Sequence, residues 1–145
     1  MEAVSYTLFK NSHFVAEQCR DCALPGYLIV SSVHETSDLG GLGKEAAALL
    51  GPTLVHVVSA VKEVINPLRI YCAQFGEQHN QLHFHVFPRT KEITETYLME
   101  KPEQRELIHG PVLLDWARAK YKGLLLSQDA EEIIERIRWT LNNAA

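Results

Sequence analysis

Hydrophobic and polar positions alternate with period 2 across Gln81-Leu82-His83-Phe84-His85-Val86-Phe87-Pro88-Arg89, the signature of a half-buried strand. Leu82, Phe84 and Val86 then point to a core, while Gln81, His83, His85 and Phe87 share the opposite face. Four more short runs rich in β-branched and aromatic residues, at about 5–9, 13–18, 26–32 and 69–75, read as strands, giving five with 81–87. The polar, glycine-containing segment Gly76 to Asn80 predicts that the last two form an antiparallel hairpin.

Between the third and fourth strands the pattern changes period. Leu49, Leu50, Leu54, Val57, Val58, Val61, Val64 and Ile65 recur at helical spacing, predicting a helix over about 43–65 that ends at Asn66-Pro67. Gly51-Pro52 inside it predicts a kink or two abutting helices, because interior Gly and Pro cost about 1 and 3 kcal/mol relative to Ala. After residue 90 the chain turns helical, with helices expected over about 103–121 and 129–142. The last has an N-cap in Gln128-Asp129 and acidic Glu131-Glu132 in its first turn. Without repeat or composition break, residues 1–145 read as one α+β domain, with a core over about 1–92 and a helical C-terminal extension over 93–145.

Composition narrows the function classes. At 145 residues, 46% hydrophobic and 22% charged, the chain is an ordinary globular domain. A formal charge of −4 without a Lys/Arg cluster argues against binding a nucleic-acid polymer, and leaves room for a small phosphorylated ligand. No apolar run reaches the roughly 20 residues of a membrane span, and Met1 to Val4 lacks signal-peptide character, so a cytoplasmic protein is expected. Three cysteines, Cys19, Cys22 and Cys72, are too few for a disulfide framework.

Two imidazoles held side by side on a strand can act as nucleophile, proton shuttle or metal ligand. The run around them resembles the signature of the histidine-triad (HIT) superfamily, His-x-His-x-His with apolar x positions. Here the frame reads Gln81-x-His83-x-His85. A second block, Leu24-Pro25-Gly26-Tyr27-Leu28-Ile29-Val30 with His34 and Leu39 after it, is similar to the family's Pro-Gly-His-x-Leu-Val strand. The resemblance covers roughly residues 5–90.

That resemblance implies a five-stranded antiparallel sheet with one long helix, homodimerisation through that helix and a sheet edge, and attack on the α-phosphate of a nucleotide. His83 would be the nucleophile, forming a nucleotidyl-histidine that water then hydrolyses. Its other nitrogen would donate to the backbone carbonyl of Gln81, which survives the side-chain change. His85 would contact the phosphate. Gln74 and Gln78 flank the hairpin turn where family members touch phosphate oxygens, and His34 matches a position at the site's edge. Tyr27 stands where the family often has histidine, near the phosphates. Cys19 falls at the usual Asn or Asp that binds ribose; cysteine is a poor partner for two hydroxyls, so either the ribose-binding carboxylate or amide is missing or Gln18 or Asp21 substitutes. The implied activity is a hydrolase or nucleotidyl transferase acting on a dinucleoside polyphosphate or nucleoside phosphoramidate. No metal is required, although a divalent ion can accompany a polyphosphate.

Two rival readings remain. His83 and His85 with Cys19-Arg20-Asp21-Cys22 offer zinc ligands, but a structural site needs four, and only His34 or His79 could complete the set. Tyr27, Cys19 and Gln81 also fit a regulatory, nucleotide-binding protein without turnover. Gly40-Gly41-Leu42-Gly43-Lys44 lacks the flanking residues of a phosphate-binding P-loop, and His34-Glu35-Thr36-Ser37-Asp38 lacks the second histidine of a zinc protease.

Overall fold

The computed structural model describes residues 5–77 and 80–143. Five strands form one antiparallel sheet: β1 (Thr7–Lys10), β2 (Phe14–Gln18), β3 (Leu28–Ser32), β4 (Arg69–Ala73) and β5 (His83–Arg89). Their order across the sheet is β1-β2-β3-β5-β4. β5 thus lies between β3 and β4, with Ile29 and Ser31 opposite His85 and His83. β4 reaches only to Ala73, opposite His85, so His83 lies beyond the end of that strand. The histidine strand is therefore firmly paired on one side and open at its start on the other.

The β2–β3 connection is set by one buried amide. The Gln18 side chain donates to the Leu24 carbonyl at 2.7 Å and accepts from the Gly26 N–H at 3.0 Å, satisfying both of its ends. Gly26 has φ +84°, and a Cβ there would lie 2.2 Å from the Ile65 Cδ1, so only glycine suits the turn. Gln18 is thus a structural clamp, with both ends of its amide engaged within the turn.

Both sheet faces are covered. On one, α1 (Lys44–Ile65) and α4 (Gln128–Asn143) bury Leu28, Val30 and Val86 under Val57, Val61, Ile134 and Ile137. On the other, α2 (Lys91–Glu100) and α3 (Gly110–Lys120) bury Tyr27 and Phe87 under Tyr97, Leu113 and Ala117. Each such large side chain contributes about 1.5–3 kcal/mol on full burial. The period-2 reading of β5 assigns its faces correctly, but the histidine face is roofed by the C-terminal helices: His83 is 6% and His85 7% exposed.

Four local expectations change. α1 runs unbroken through Gly51-Pro52. The carbonyl that Pro52 leaves without an amide is that of Ala48, on the exposed side, while Thr53 on the inner side donates its hydroxyl to the Leu49 carbonyl at 2.8 Å. Packing by Thr53, Val57, Ala60 and Val61 outweighs the local cost. By length and composition alone α1 could also cross a bilayer, contrary to the reading of apolar runs; here its inner face packs on the sheet.

The single helix expected over 103–121 is instead a short 3-10 turn at Pro102–Gln104 followed by α3, and α2 precedes them where the sequence predicts no separate helix. α2 starts directly after β5 because Thr90 caps it, its hydroxyl accepting from the Ile93 N–H at 3.1 Å. α4 is capped by Ser127, which accepts from the Ala130 N–H at 3.1 Å, in place of the expected Gln128-Asp129 cap.

Candidate active site

His83 and His85 sit on β5 with ring centroids 5.1 Å apart and planes 64° apart. Each ring is pinned through Nδ1, in opposite senses. His83 Nδ1 lies 2.9 Å from the Gln81 carbonyl oxygen. A carbonyl only accepts, so Nδ1 carries a proton, and in the neutral ring Nε2 carries the lone pair.

His85 Nδ1 lies 2.7 Å from the Tyr27 hydroxyl. Tyr27 is fully buried, and that burial pushes its phenol well above the usual range. The hydroxyl therefore keeps its proton, and among the described residues its hydrogen-bond partner is His85. The phenol donates to Nδ1, which puts the His85 proton on Nε2. One strand thus presents two imidazoles pinned in opposite senses, one donating through Nδ1 and the other accepting there.

Two cavities meet at these rings. One, of about 350 Å³, is bordered by Cys19, Tyr27, Ile29, Ser31 and Gln81. The other, of about 320 Å³, is bordered by Phe75, Glu77, Pro111, Leu114 and Asp115. His83, His85 and Arg118 line both. A group bound at the histidines can therefore carry substituents on both sides.

No family model matches the chain, and no curated protein matches it. Solved structures do. A Hit-like protein from Bartonella henselae, crystallised with an unknown ligand, superposes with a TM-score of 0.61 at 18% identity, covering 94% of this chain and 86% of that one. A hypothetical histidine triad nucleotide-binding protein from Sulfolobus tokodaii gives 0.63 at 13% identity, covering 96% and 85%. A zinc-bound histidine triad family protein from Mycobacterium smegmatis gives 0.61 at 15% identity, covering 97% and 86%. The chain has the HIT-like fold. At these identities the likeness is one of architecture, and the chemistry rests on this chain's own residues.

Within the HIT-like fold the sequence-predicted residues part company. His83, His85, Gln81, Tyr27 and Cys19 border one cavity. The Gln81 side chain is turned to β3, where its amide donates to the Ser32 carbonyl, so its backbone rather than its side chain serves His83. Tyr27 lies behind His85 and acts through that ring.

His34 does not join them. It lines a separate cavity near the start of α1, its ring 5.5 Å from that of His13, because the chain turns away after β3. Gln74 lies against Gly76, and neither of the two histidine cavities has it in its wall. Gln78 and His79 lie outside the described residues.

Cys19, in the wall of the first histidine cavity, is engaged with Cys22. Hydrogen bonding from the Cys22 thiol pulls Cys19 down to about 7, against the opposing effect of burial. The same bond, with burial, pushes Cys22 up. The single Cys22 proton also has the Arg118 carbonyl at 3.6 Å, but a bond to a Cys19 thiolate is charge-assisted and the stronger of the two. Among the described residues no group of three or more His, Cys, Asp or Glu side chains is placed to hold a metal ion.

Arg118, Asp115 and Phe75 were not legible as site residues. The only sequence signal for Arg118 is its position four residues after Leu114 on a helix, which sets both on one face without saying what that face covers.

Proposed function

We propose that this protein binds a nucleotide at the His83–His85 site and acts at its α-phosphate through a covalent nucleotidyl-histidine. The observation that carries this reading is the 2.9 Å bond from His83 Nδ1 to the Gln81 carbonyl, which directs the ring's lone pair to Nε2. Nε2 attacks phosphorus as the bond to the leaving group breaks, and the leaving group takes the electron pair. The His85 Nε2–H stabilises charge developing on the phosphoryl oxygens. A water then displaces His83 from phosphorus, the pair of the breaking P–N bond returns to Nε2, and the proton the water gives up passes to solvent. Dinucleoside polyphosphates and nucleoside phosphoramidates both fit two substituents flanking one phosphorus.

The test is incubation with a panel of both substrate types, followed by mass spectrometry for a nucleotidyl adduct on His83. An adduct and turnover in the parent protein, both lost in His83→Ala, are expected. Turnover that persists in that variant would overturn the assignment, and tight nucleotide binding without adduct or turnover would favour the regulatory reading.

We further propose a homodimer built on α1. Its support is the outer face of that helix, where Ala48, Gly51, Pro52, Val55 and Ser59 form a flat exposed stripe and Val55 is 66% exposed. Such a face suits close approach of a second helix.

A further inference from the structure

Among the described residues, Arg118 is the one Lys or Arg side chain that lines both histidine cavities. The other arginine in their walls, Arg20, is committed elsewhere: its guanidinium lies 3.0 Å from a Glu17 carboxylate oxygen and 4.9 Å from the centroid of the Tyr6 ring. Arg118 is half-buried, and among the described residues no carboxylate forms an ion pair with it, although Asp21 and Glu17 border one cavity and Asp115 and Glu77 the other. Its charge acts on this corner of the molecule, lowering both the Tyr27 phenol and the Cys22 thiol against the upward push of burial.

The backbone around Arg118 is held where it would have to be for such a role. Its own carbonyl lies 3.6 Å from the Cys22 sulfur. The Ala23 N–H donates to the Tyr121 carbonyl at 3.1 Å, and the Gly123 N–H to the Asp21 carbonyl at 3.1 Å. Two backbone bonds thus fasten the end of α3 to the segment that carries Cys19 into the same cavity.

An anion seated between two imidazoles, in a site bordered by four carboxylates, is favoured by a cation. Guanidinium supplies one as a planar fork of donors matched to two phosphoryl oxygens. We infer that Arg118, delivered by α3, binds the substrate's phosphate at the junction of the two cavities. This rests on the nucleotide reading above. The consequence is a site whose nucleophile comes from the sheet and whose phosphate clamp comes from the C-terminal helices.

Calorimetric titration of the full chain with AMP and, separately, with adenosine tests it. The parent protein should bind AMP more tightly than adenosine. Arg118→Met, which keeps the apolar stem, should weaken AMP by about 10- to 100-fold, the size of a charge-assisted bond pair, while adenosine stays within about twofold. Should the Met variant fail to fold, Arg118→Lys carries the comparison: with charge kept and fork lost, AMP should weaken several-fold and adenosine should not. An AMP preference that survives in Arg118→Met, or equal weakening of both ligands in Arg118→Lys, overturns the role of Arg118 alone. No AMP preference in the parent protein overturns the nucleotide reading and this inference with it.

Discussion

The Tyr27 hydroxyl and the His85 Nδ1 lie 2.7 Å apart, and this contact fixes what the second histidine can do. Tyr27 occupies a position where histidine would be expected from the sequence resemblance. In this chain the residue has become a buttress: buried and protonated, it orients His85 as a donor toward whatever lies beside His83. Tyr27→Phe should remove that orientation while keeping the ring packed against Phe87. Turnover is expected to fall by about 10- to 100-fold, the equivalent of losing one hydrogen bond to a developing charge. Nitrogen chemical shifts provide the direct check. The parent protein should show His85 protonated at Nε2, and the variant a mixture of tautomers.

The strand, its faces and the triad frame were readable because they depend on local alternation and on residue types with strong chemical character. His83 and His85 announced themselves. The roof over them did not, since Leu113, Leu114 and Ala117 mark a helix with an apolar face but do not say which surface that face covers. Arg118 reaches the site through tertiary docking, held by backbone bonds to Asp21 and Ala23 that leave no pattern in the sequence. His34 failed in the opposite way: its sequence position matched, but the chain leaves β3 toward the start of α1 and takes the ring to another cavity.

The Cys19–Cys22 pair predicts a distinctive pH profile. With Cys19 at about 7, its thiolate fraction, and so its rate of alkylation by iodoacetamide, should climb from pH 6 and level off above about pH 8. Cys72, pushed up by burial, should still be gaining reactivity there. Cys22→Ala removes the lowering bond, so the Cys19 profile should move to higher pH. The sign for stability follows from the same shifts. Cys19 ionises earlier in the folded chain than in the unfolded one, so stability should rise from pH 7 toward 9, then reverse as Cys22, held protonated in the fold, ionises in the unfolded chain. Peptide-resolved alkylation and denaturant titrations across pH 6–10 check both parts.

Gly26 sets the turn that delivers Tyr27 to His85. An alanine there must adopt φ +84° and meet the Ile65 Cδ1, which sits 2.2 Å from the new Cβ. Left-handed strain and overpacking each cost about 1–3 kcal/mol, so Gly26→Ala should lose about 2–4 kcal/mol in urea unfolding. Gly43→Ala, where a Cβ meets nothing within 4 Å, is the matched control and should change stability by less than about 1 kcal/mol.

The α1 dimer makes a simple prediction about Val55. Val55→Glu places a charge in the centre of the exposed stripe without touching the inner face that packs on the sheet. Light scattering coupled to size exclusion should report a dimer for the parent chain and a monomer for the variant, with the circular dichroism spectrum unchanged. A parent chain that elutes as a monomer at micromolar concentration would rule the interface out.

Gln81 separates the backbone role from the side-chain role at the first position of the triad frame. The carbonyl that accepts from His83 Nδ1 is present whatever the side chain, whereas the side-chain amide is tied to Ser32. Gln81→Ala should therefore leave the His83 adduct and its turnover within about fivefold of the parent, since the lost bond is a neutral one worth about 0.5–1.5 kcal/mol and lies away from phosphorus. His83→Ala, by contrast, removes the nucleophile and should abolish both. Rapid-quench measurement of adduct formation distinguishes the cases. If Gln81→Ala were as damaging as His83→Ala, the side chain itself would have to contact the substrate, and the account of His83 orientation by the backbone would need replacing.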